Sequence, residues 1–345
     1  MKFNTKLSAI AISITLAACG GGGGGSSSGS TGSVPPVQNP PAVVTPPVVV
    51  APTSDLQTSV AAATYAPGSQ QLAFFTAYND FRSKLGLGLL AQNTKLDTAT
   101  ENHLKYLATN TDVNFSAVDP VSGRPYFHLE DAARPNFTGV TEADRARFAQ
   151  YAGSYVGELG GYGNGKGAVS ALNDLIATVY HRAGLMFQFP REIGIAVGTD
   201  VFQTFVVNFG YSSARQFNAS NYFGAYPADQ QTNVPRVMYI ETPNPLPDVA
   251  YADYGTKTSY PINVVSEAST TLSVTSFTVT EAGQSTPLDA RILTKDNDPN
   301  KMLTGNTAFL IGKAPFKANT TYQVRFEGTV NGAAMVKAWS FTTGA

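Results

Sequence analysis

The first 58 residues restrict folding more strongly than any other feature of this chain. Six glycines occupy Gly20–Gly25, a serine- and glycine-rich stretch follows, and proline pairs lie among valines between positions 35 and 47. A segment of this composition cannot bury a core, so residues 20–58 are predicted to form a Gly/Ser/Pro-rich tether. Folding is therefore confined to the rest of the chain, about 290 residues, which is long enough for two domains with their own cores.

The N-terminus has the layout of a secretory signal. Lys2 and Lys6 precede an apolar run over residues 7–16 that is too short to cross a membrane as a helix. The following Leu-Ala-Ala-Cys sequence resembles a bacterial lipobox, and Cys19 is the only cysteine in the chain. The resemblance implies a signal peptide over residues 1–19, lipidation of Cys19 and, because Gly20 is not aspartate, sorting to the outer membrane. An ordinary cleaved signal with an incidental cysteine is the alternative.

The composition bounds the partners of the folded part. The formal net charge is −1, and no long basic run is present, so the sequence gives no support for nucleic-acid binding. We expect a monomer in the cell envelope, facing the periplasm or the cell surface. Its expected partners are the membrane, through the lipid anchor, and an extracellular small molecule, lipid or envelope component.

Helical periodicity followed by a hairpin predicts an α+β domain over residues 59–215. Apolar residues at helical spacing indicate four helices. A period of two then indicates a pair of strands joined by a turn at residues 198–200. The predicted helices cover residues 71–85, begin at Asn93 or Thr94, run from Thr141 with a capping-box-like Asp144 to a C-cap at Gly153, and run from Ala168 to His181; the strands are Ile193–Val197 and Phe202–Phe209.

Residues 216–345 change to short strands separated by turn residues, which predicts a β-sandwich. The clearest hairpin pairs residues 321–329 with 334–342 around Asn331-Gly332, a dipeptide suited to a primed turn. Trp339, the sole tryptophan, is expected to fill the core of this domain. Further strands are predicted at residues 237–240, 262–265, 272–279, 288–293 and 308–311.

Imidazole chemistry in this chain is limited to His103, His128 and His181. Alternation predicts that His128 and Glu130 lie on the same side of an extended segment. A regular fourth helix would place Asp174 two turns before His181 on the same face, where it can orient the ring. His103 lies on an apolar stripe of the second helix, and we expect it to be a structural residue.

Residues 65–212 resemble a bacterial CAP (SCP-like; cysteine-rich secretory protein, antigen 5 and pathogenesis-related) domain. The matching motifs are Asn79 with Arg82, Phe127-His128, Gly157-Glu158, Tyr180-His181-Arg182 and Ile193–Val197. The resemblance implies a CAP-type α-β-α sandwich around a cleft that contains His128, Glu158 and His181. The second acidic residue of the family cavity has no clear match, and Glu130 and Asp174 are the candidates. Leu159 stands where the family usually has asparagine.

The implied cleft supports binding better than any single reaction. Two imidazoles and a carboxylate can hold a divalent metal, typically zinc, and the implied ligands are His128, His181 and Glu158; the cleft can equally hold none. The expected function is binding of a lipid-like or envelope molecule. One alternative is a metal-dependent hydrolase or peptidase with Glu158 or Glu130 as general base, although the compact H-E-x-x-H motif is absent. Another is a structural or adhesin-like surface protein.

The C-terminal run over residues 303–344 resembles a bacterial Ig-like or fibronectin-like envelope module. This resemblance implies a role as a spacer or a binding module, and it completes the expected fold class. That class is a CAP-type α-β-α sandwich over residues 59–215 followed by an all-β Ig-like sandwich over residues 216–345.

Overall fold

The computed structural model describes residues 53–345. The predicted signal peptide, the lipidation site Cys19 and the tether as far as residue 52 lie outside these residues. Within the described range, no helix is long and apolar enough to cross a membrane. The same range contains helices and three four-stranded sheets, which confirms the mixed α+β class.

The N-terminal half builds the first sheet and most of the helices. Its sheet has the strand order β1-β3-β4-β2, in which the central strand β4 is antiparallel to both neighbours. The elements are α1 (Gln70–Lys84), β1 (Ala91–Gln92), α2 (Thr94–Thr109), a short 3-10 helix (Tyr126–His128), α3 (Glu142–Phe148), β2 (Tyr155–Tyr162), α4 (Ala168–Ile176), α5 (Tyr180–Leu185), β3 (Glu192–Val197) and β4 (Thr204–Tyr211).

Helices cover both faces of this sheet. Along β4, Phe205 and Val207 join the hydrophobic cluster that contains α1 and α4, whereas Val206 packs with Tyr106 of α2. Successive side chains of a strand point to opposite faces, so α1 and α4 lie on one face and α2 on the other. Helix α3 packs on α2 and β2. The N-terminal half therefore has three layers, α-β-α.

The C-terminal half contains the other two sheets. Their strand orders are β5-β7-β10-β9 and β6-β12-β11-β8. The elements are β5 (Phe223–Tyr226), β6 (Gln231–Val234), a 3-10 turn (Tyr251–Asp253), α6 (Tyr254–Lys257), β7 (Ile262–Ser266), β8 (Leu272–Glu281), β9 (Ala290–Thr294), β10 (Thr307–Gly312), β11 (Thr321–Val330) and β12 (Ala333–Thr343).

Several local predictions are confirmed. Asn93 caps α2, and Thr141 forms a complete capping box with Asp144 at the start of α3. Asn331 and Gly332 turn the β11–β12 hairpin with φ of 50° and 81°, the left-handed conformation that a primed turn needs. Trp339 is 4% exposed and packs on Phe277.

Three local predictions are wrong: two concern helix ends, and one concerns a strand that does not form. The single helix from Ala168 to His181 is two helices, because the chain turns after Ile176 and the amide groups of the next turn bind a distant carboxylate. The third helix ends at Phe148 rather than near Gly153, since Gln150 already adopts a left-handed φ of 65°. Residues 237–240 form no strand and make irregular contacts; Tyr239 N donates to Ala177 O at 3.0 Å.

Strand β2 is rich in glycine, with Gly157, Gly160 and Gly161 in its eight residues. Glycine is unfavourable in strands, but here it permits close packing. A Cβ at Gly160 would lie 2.2 Å from the Phe127 ring and 2.9 Å from Phe205 O. The glycines therefore let the 3-10 helix approach β2 closely, and they place Glu158 in the middle of a buried strand.

The two halves share one hydrophobic cluster. Buried residues of α1, α4 and β4 belong to the same cluster as those of β7, β10 and β12. The rings of Phe81 and Tyr226, one from each half, are 5.0 Å apart in an edge-on arrangement. The C-terminal half is therefore packed directly onto the α1 side of the N-terminal half.

Candidate functional site

A buried ionic cluster lies between the sheet and the α2–α3 layer. Its members are His103 of α2, His128 of the 3-10 helix, Glu130, Arg145 of α3 and Glu158 of β2. All five side chains are almost fully buried. Charges in such surroundings are tolerated only when they are paired and hydrogen-bonded, so the contacts within the cluster define what it can do.

Glu158 is the centre of this cluster. Arg145 Nη2 donates to both carboxylate oxygens, at 2.8 and 2.7 Å. His128 Nδ1 donates to Oε1 at 3.0 Å, and Asn208 Nδ2 donates to Oε2 at 3.1 Å. Burial alone would raise the pKa of Glu158, but the Arg145 guanidinium, followed by the two nearby imidazoles, outweighs burial and holds the pKa far below its usual range.

His103 belongs to the cluster, which corrects its interpretation as an isolated residue of an apolar stripe. Its Nδ1 lies 2.9 Å from Glu130 Oε1, and its Nε2 lies 2.7 Å from Phe127 O. Glu130 Oε2 also accepts from Thr138 N at 2.6 Å. His103 is therefore held through both ring nitrogens, and it joins Glu130 to the 3-10 helix that carries His128.

His128 has one nitrogen without a partner. Its Nδ1 is engaged by Glu158 Oε1 at 3.0 Å. Within residues 53–345, Nε2 is buried and has no hydrogen-bond partner. His128 ends a 3-10 helix and therefore does not lie in the extended segment that the sequence predicts. It nevertheless lies near Glu130, as shown by Arg145, which contacts both His128 O and the Glu130 carboxylate.

His181 has different surroundings. Its Nδ1 lies 3.0 Å from Glu241 Oε2, and the same carboxylate accepts from the backbone amides of Val179 and Tyr180. Glu241 comes from the C-terminal half and takes the orienting role that the sequence predicts for Asp174. The carboxyl of Asp174 is half-buried, and burial raises its pKa. The structure therefore brings His128, Glu158 and Glu130 together, and it holds His181 at the junction of the halves.

The expected metal ligands do not fit a metal. Among residues 53–345, no group of three His, Cys, Asp or Glu side chains could hold a metal ion. Glu158 is already saturated by donors that include a guanidinium, and a second cation beside Arg145 would be repelled. The carboxylate is also too deeply buried to activate a solvent water. Glu158 is therefore bound within a buried, paired core and has no free acceptor position.

A small apolar pocket lies on the opposite face of the sheet. The residues next to Glu158 in β2, Gly157 and Leu159, face away from the ionic cluster because successive residues of a strand face opposite sides of the sheet. They line a cavity of about 30 Å³ together with Tyr78, Leu185, Phe187 and Phe209, and Glu158 also borders it. A cavity of this size has room only for the end of a small apolar group.

A strip of half-buried rings extends from this pocket. Tyr155 stacks on Tyr211 with ring centres 5.7 Å apart, Phe187 lies 5.6 Å from Tyr155, and Phe189 lies 4.8 Å from Phe187. Arg215 lies over the Phe189 ring at 4.5 Å. Burial, followed by neighbouring Glu142, raises the pKa of the Tyr155 hydroxyl. This aromatic strip offers flat apolar surface with hydroxyl groups at its edge.

A larger depression of about 440 Å³ lies in the C-terminal half, beside β6 and the last residues of the chain. Its only charged side chain is Arg236, whose Nε already donates to Phe316 O at 2.8 Å.

Arg145, Asn208 and Glu241 are the partners that sequence reasoning missed. Asn208 gives a usable signal, since it is the one polar residue in the apolar run of β4. Arg145 gives no such signal, because the local sequence pattern of α3 does not distinguish it from exposed Arg147. Glu241 lies in an irregular segment, where no periodicity marks a buried carboxylate.

No protein-family model matches this chain, and no curated protein matches it. Among solved structures, the chain is similar to an outer surface protein from Borrelia burgdorferi, with 17% sequence identity and a TM-score of 0.33. The match covers 43% of this chain and 97% of that chain. A similarity this weak establishes neither a shared fold nor a shared function.

Proposed function

We propose that this protein is a lipid-anchored protein of the bacterial envelope whose CAP-like N-terminal half binds an apolar extracellular ligand without transforming it. The pocket beside Leu159 and the aromatic strip next to it form the binding surface. The ligand inserts an apolar end into the pocket and lies along the rings. A lipid-like envelope molecule has this chemistry.

The aromatic strip is the observation that carries this proposal. Tyr155, Phe187 and Phe189 are only half-buried although they are large apolar groups, and they line one continuous surface. Large aromatic rings supply much of the binding energy when a ligand covers them. No hydrogen bond within residues 53–345 uses the Tyr155 hydroxyl, which remains available to a polar group of the ligand.

The hydrolase alternative receives no support from the buried glutamates. Glu158 and Glu130 are saturated by donors and closed to solvent, whereas a general base must reach the proton that it removes. An adhesin-like function of the C-terminal half has no specific observation in its favour.

Calorimetric titration of the full chain with decanoate tests the proposal. Gly157→Val places two methyl groups in the pocket, where the first added carbon already lies 2.8 Å from the Tyr155 hydroxyl. Ser154→Val adds the same apolar side chain at a nearby exposed position and serves as the control.

We expect saturable binding by the wild type and by Ser154→Val, and loss of binding in Gly157→Val. Binding by Gly157→Val equal to that of the wild type would place the ligand elsewhere. No saturable binding by the wild type would overturn the proposal.

A further inference from the structure

The segment 180–188 is a wall shared by the pocket and the C-terminal half. Gly184, Leu185 and Phe187 line the pocket. The polar side chains of the segment instead contact the C-terminal half; they are Tyr180, His181, Arg182 and Gln188. The shape of the pocket is therefore tied to contacts outside the N-terminal half.

Glu241 holds the beginning of this wall. Its carboxylate is fully buried and accepts from Val179 N at 2.6 Å and from Tyr180 N at 3.0 Å. It also pairs with His181 Nδ1 at 3.0 Å. These amides are the unsatisfied donors of the first turn of α5, so a residue of the C-terminal half completes this helix.

Arg182 inserts into the C-terminal half. Its guanidinium is completely buried, and Nη1 donates to Pro261 O at 2.5 Å and to Asn263 Oδ1 at 3.1 Å. The same group lies 4.7 Å from the centre of the Tyr260 ring and 5.1 Å from that of Tyr226. Such a buried, stacked guanidinium fixes the position of its helix closely.

Gln188 holds the end of the wall. Its Nε2 donates to Ser266 O at 2.8 Å, and its Oε1 accepts from Ala268 N at 3.1 Å. Between the two anchors, Asn263 Nδ2 contacts Met186 Sδ at 3.2 Å. The segment thus lies along β7 from Arg182 to Gln188.

We propose that the C-terminal half sets the shape of the ligand pocket, with Glu241 and Gln188 as positioning residues that hold the wall from its two ends. This inference rests on the proposed function and makes the C-terminal half part of the binding unit rather than a spacer. A shift of β7 or Glu241 is transmitted to Leu185 and Phe187 because both are in the same short segment.

The test uses full-length protein labelled with 3-fluorotyrosine and observed by fluorine NMR without ligand. Tyr155 contacts Phe187, so its resonance reports the position of the wall. The resonance is assigned by its loss in Tyr155→Phe. Gln188→Met keeps the size of the side chain and removes both bonds, and Glu241→Gln removes the charge. Gln92→Met in β1, which removes the hydrogen bonds of Gln92 with Asp97 and Thr64, is the matched control.

We expect the Tyr155 resonance to shift in Gln188→Met and Glu241→Gln and to remain in place in Gln92→Met, at a temperature where all variants are folded. Decanoate binding should weaken several-fold in the first two variants only. An unchanged Tyr155 resonance in both, with only lower thermal stability, would overturn the inference. Since the spectra are recorded without ligand, failure of the wild type to bind decanoate would instead reject the proposed function.

Discussion

At the scale of single residues, Glu158 shows how burial and pairing compete. Its carboxylate lies in the protein interior, where an unpaired charge is very unfavourable. Arg145, His128 and Asn208 supply four hydrogen bonds that keep it ionised. The carboxylate that a sequence motif identified as a cleft residue is thus part of the internal support of the sheet.

Arg145→Met should destabilise the protein by about 3–5 kcal/mol, because it leaves Glu158 buried without its strongest partner. Urea unfolding measures this loss. Arg147→Met in the same helix is the control, since that side chain is 72% exposed. Its effect should stay within about 0.5 kcal/mol. Equal effects of the two changes would contradict the assigned role of the cluster.

The pKa of Glu158 also predicts how stability depends on pH. The pKa is lower in the folded protein than the value of about 4.3 for an unfolded chain, so its contribution is complete above that value and is lost on acidification. The stability difference between the wild type and Glu158→Gln should be largest at neutral pH and shrink as the pH falls. Urea unfolding across this range measures the difference.

Glu327→Gln provides the control for this titration. Glu327 forms an exposed ion pair with Arg325, so its replacement should leave the acid dependence of the wild type unchanged. A difference between the wild type and Glu158→Gln that stays constant with pH would mean that Glu158 is not charged in the folded protein.

At the scale of elements, the backbone of α2 approaches β3 closely at Gly194. A Cβ at Gly194 would lie 2.2 Å from the carbonyl carbon of Leu96 and 2.3 Å from Asp97 N. Backbone cannot move aside as a flexible side chain can. The same approach lets Asp97 accept from Ile195 N at 2.9 Å and joins the first turn of the helix to the strand.

Gly194→Ala should therefore destabilise the protein by about 1–3 kcal/mol or more through overpacking. Gly255→Ala is the control, because a Cβ there meets no atom within 4 Å. Alanine at this helical position should leave stability within about 1 kcal/mol of the wild type. Thermal unfolding compares the two, and a tolerated Gly194→Ala would mean that α2 can move away from β3.

At the scale of the whole molecule, the two halves are joined by buried polar bonds as well as by a shared core. Arg182 and Gln188 reach across to β7, and Tyr180 donates to Asp298 beyond β9. Removal of one half would expose apolar surface and leave these groups unpaired. The junction therefore has the character of a domain interior.

Calorimetry of the full chain should accordingly show one cooperative unfolding transition, with equal calorimetric and van't Hoff enthalpies for residues 53–345. Two separate transitions would indicate halves that fold independently. As a second test, residues 53–215 expressed alone should lack a sharp transition of their own.

The sequence by itself determined the features that depend on neighbours along the chain. Caps at Asn93 and Thr141 and the turn at Asn331-Gly332 follow from side chains that bond within a few residues, so their positions were predictable. The α+β class followed from periodicity for the same reason.

Only the tertiary structure decided the partners of the buried polar groups. Glu241 ends the predicted fourth helix early although it lies 60 residues beyond His181. Strand alternation directs the Glu158 carboxylate to the ionic cluster and its neighbours Gly157 and Leu159 to the opposite face, while Glu158 also borders the apolar pocket. Burial makes each of these charges require a partner, and the fold determines which distant residue supplies it.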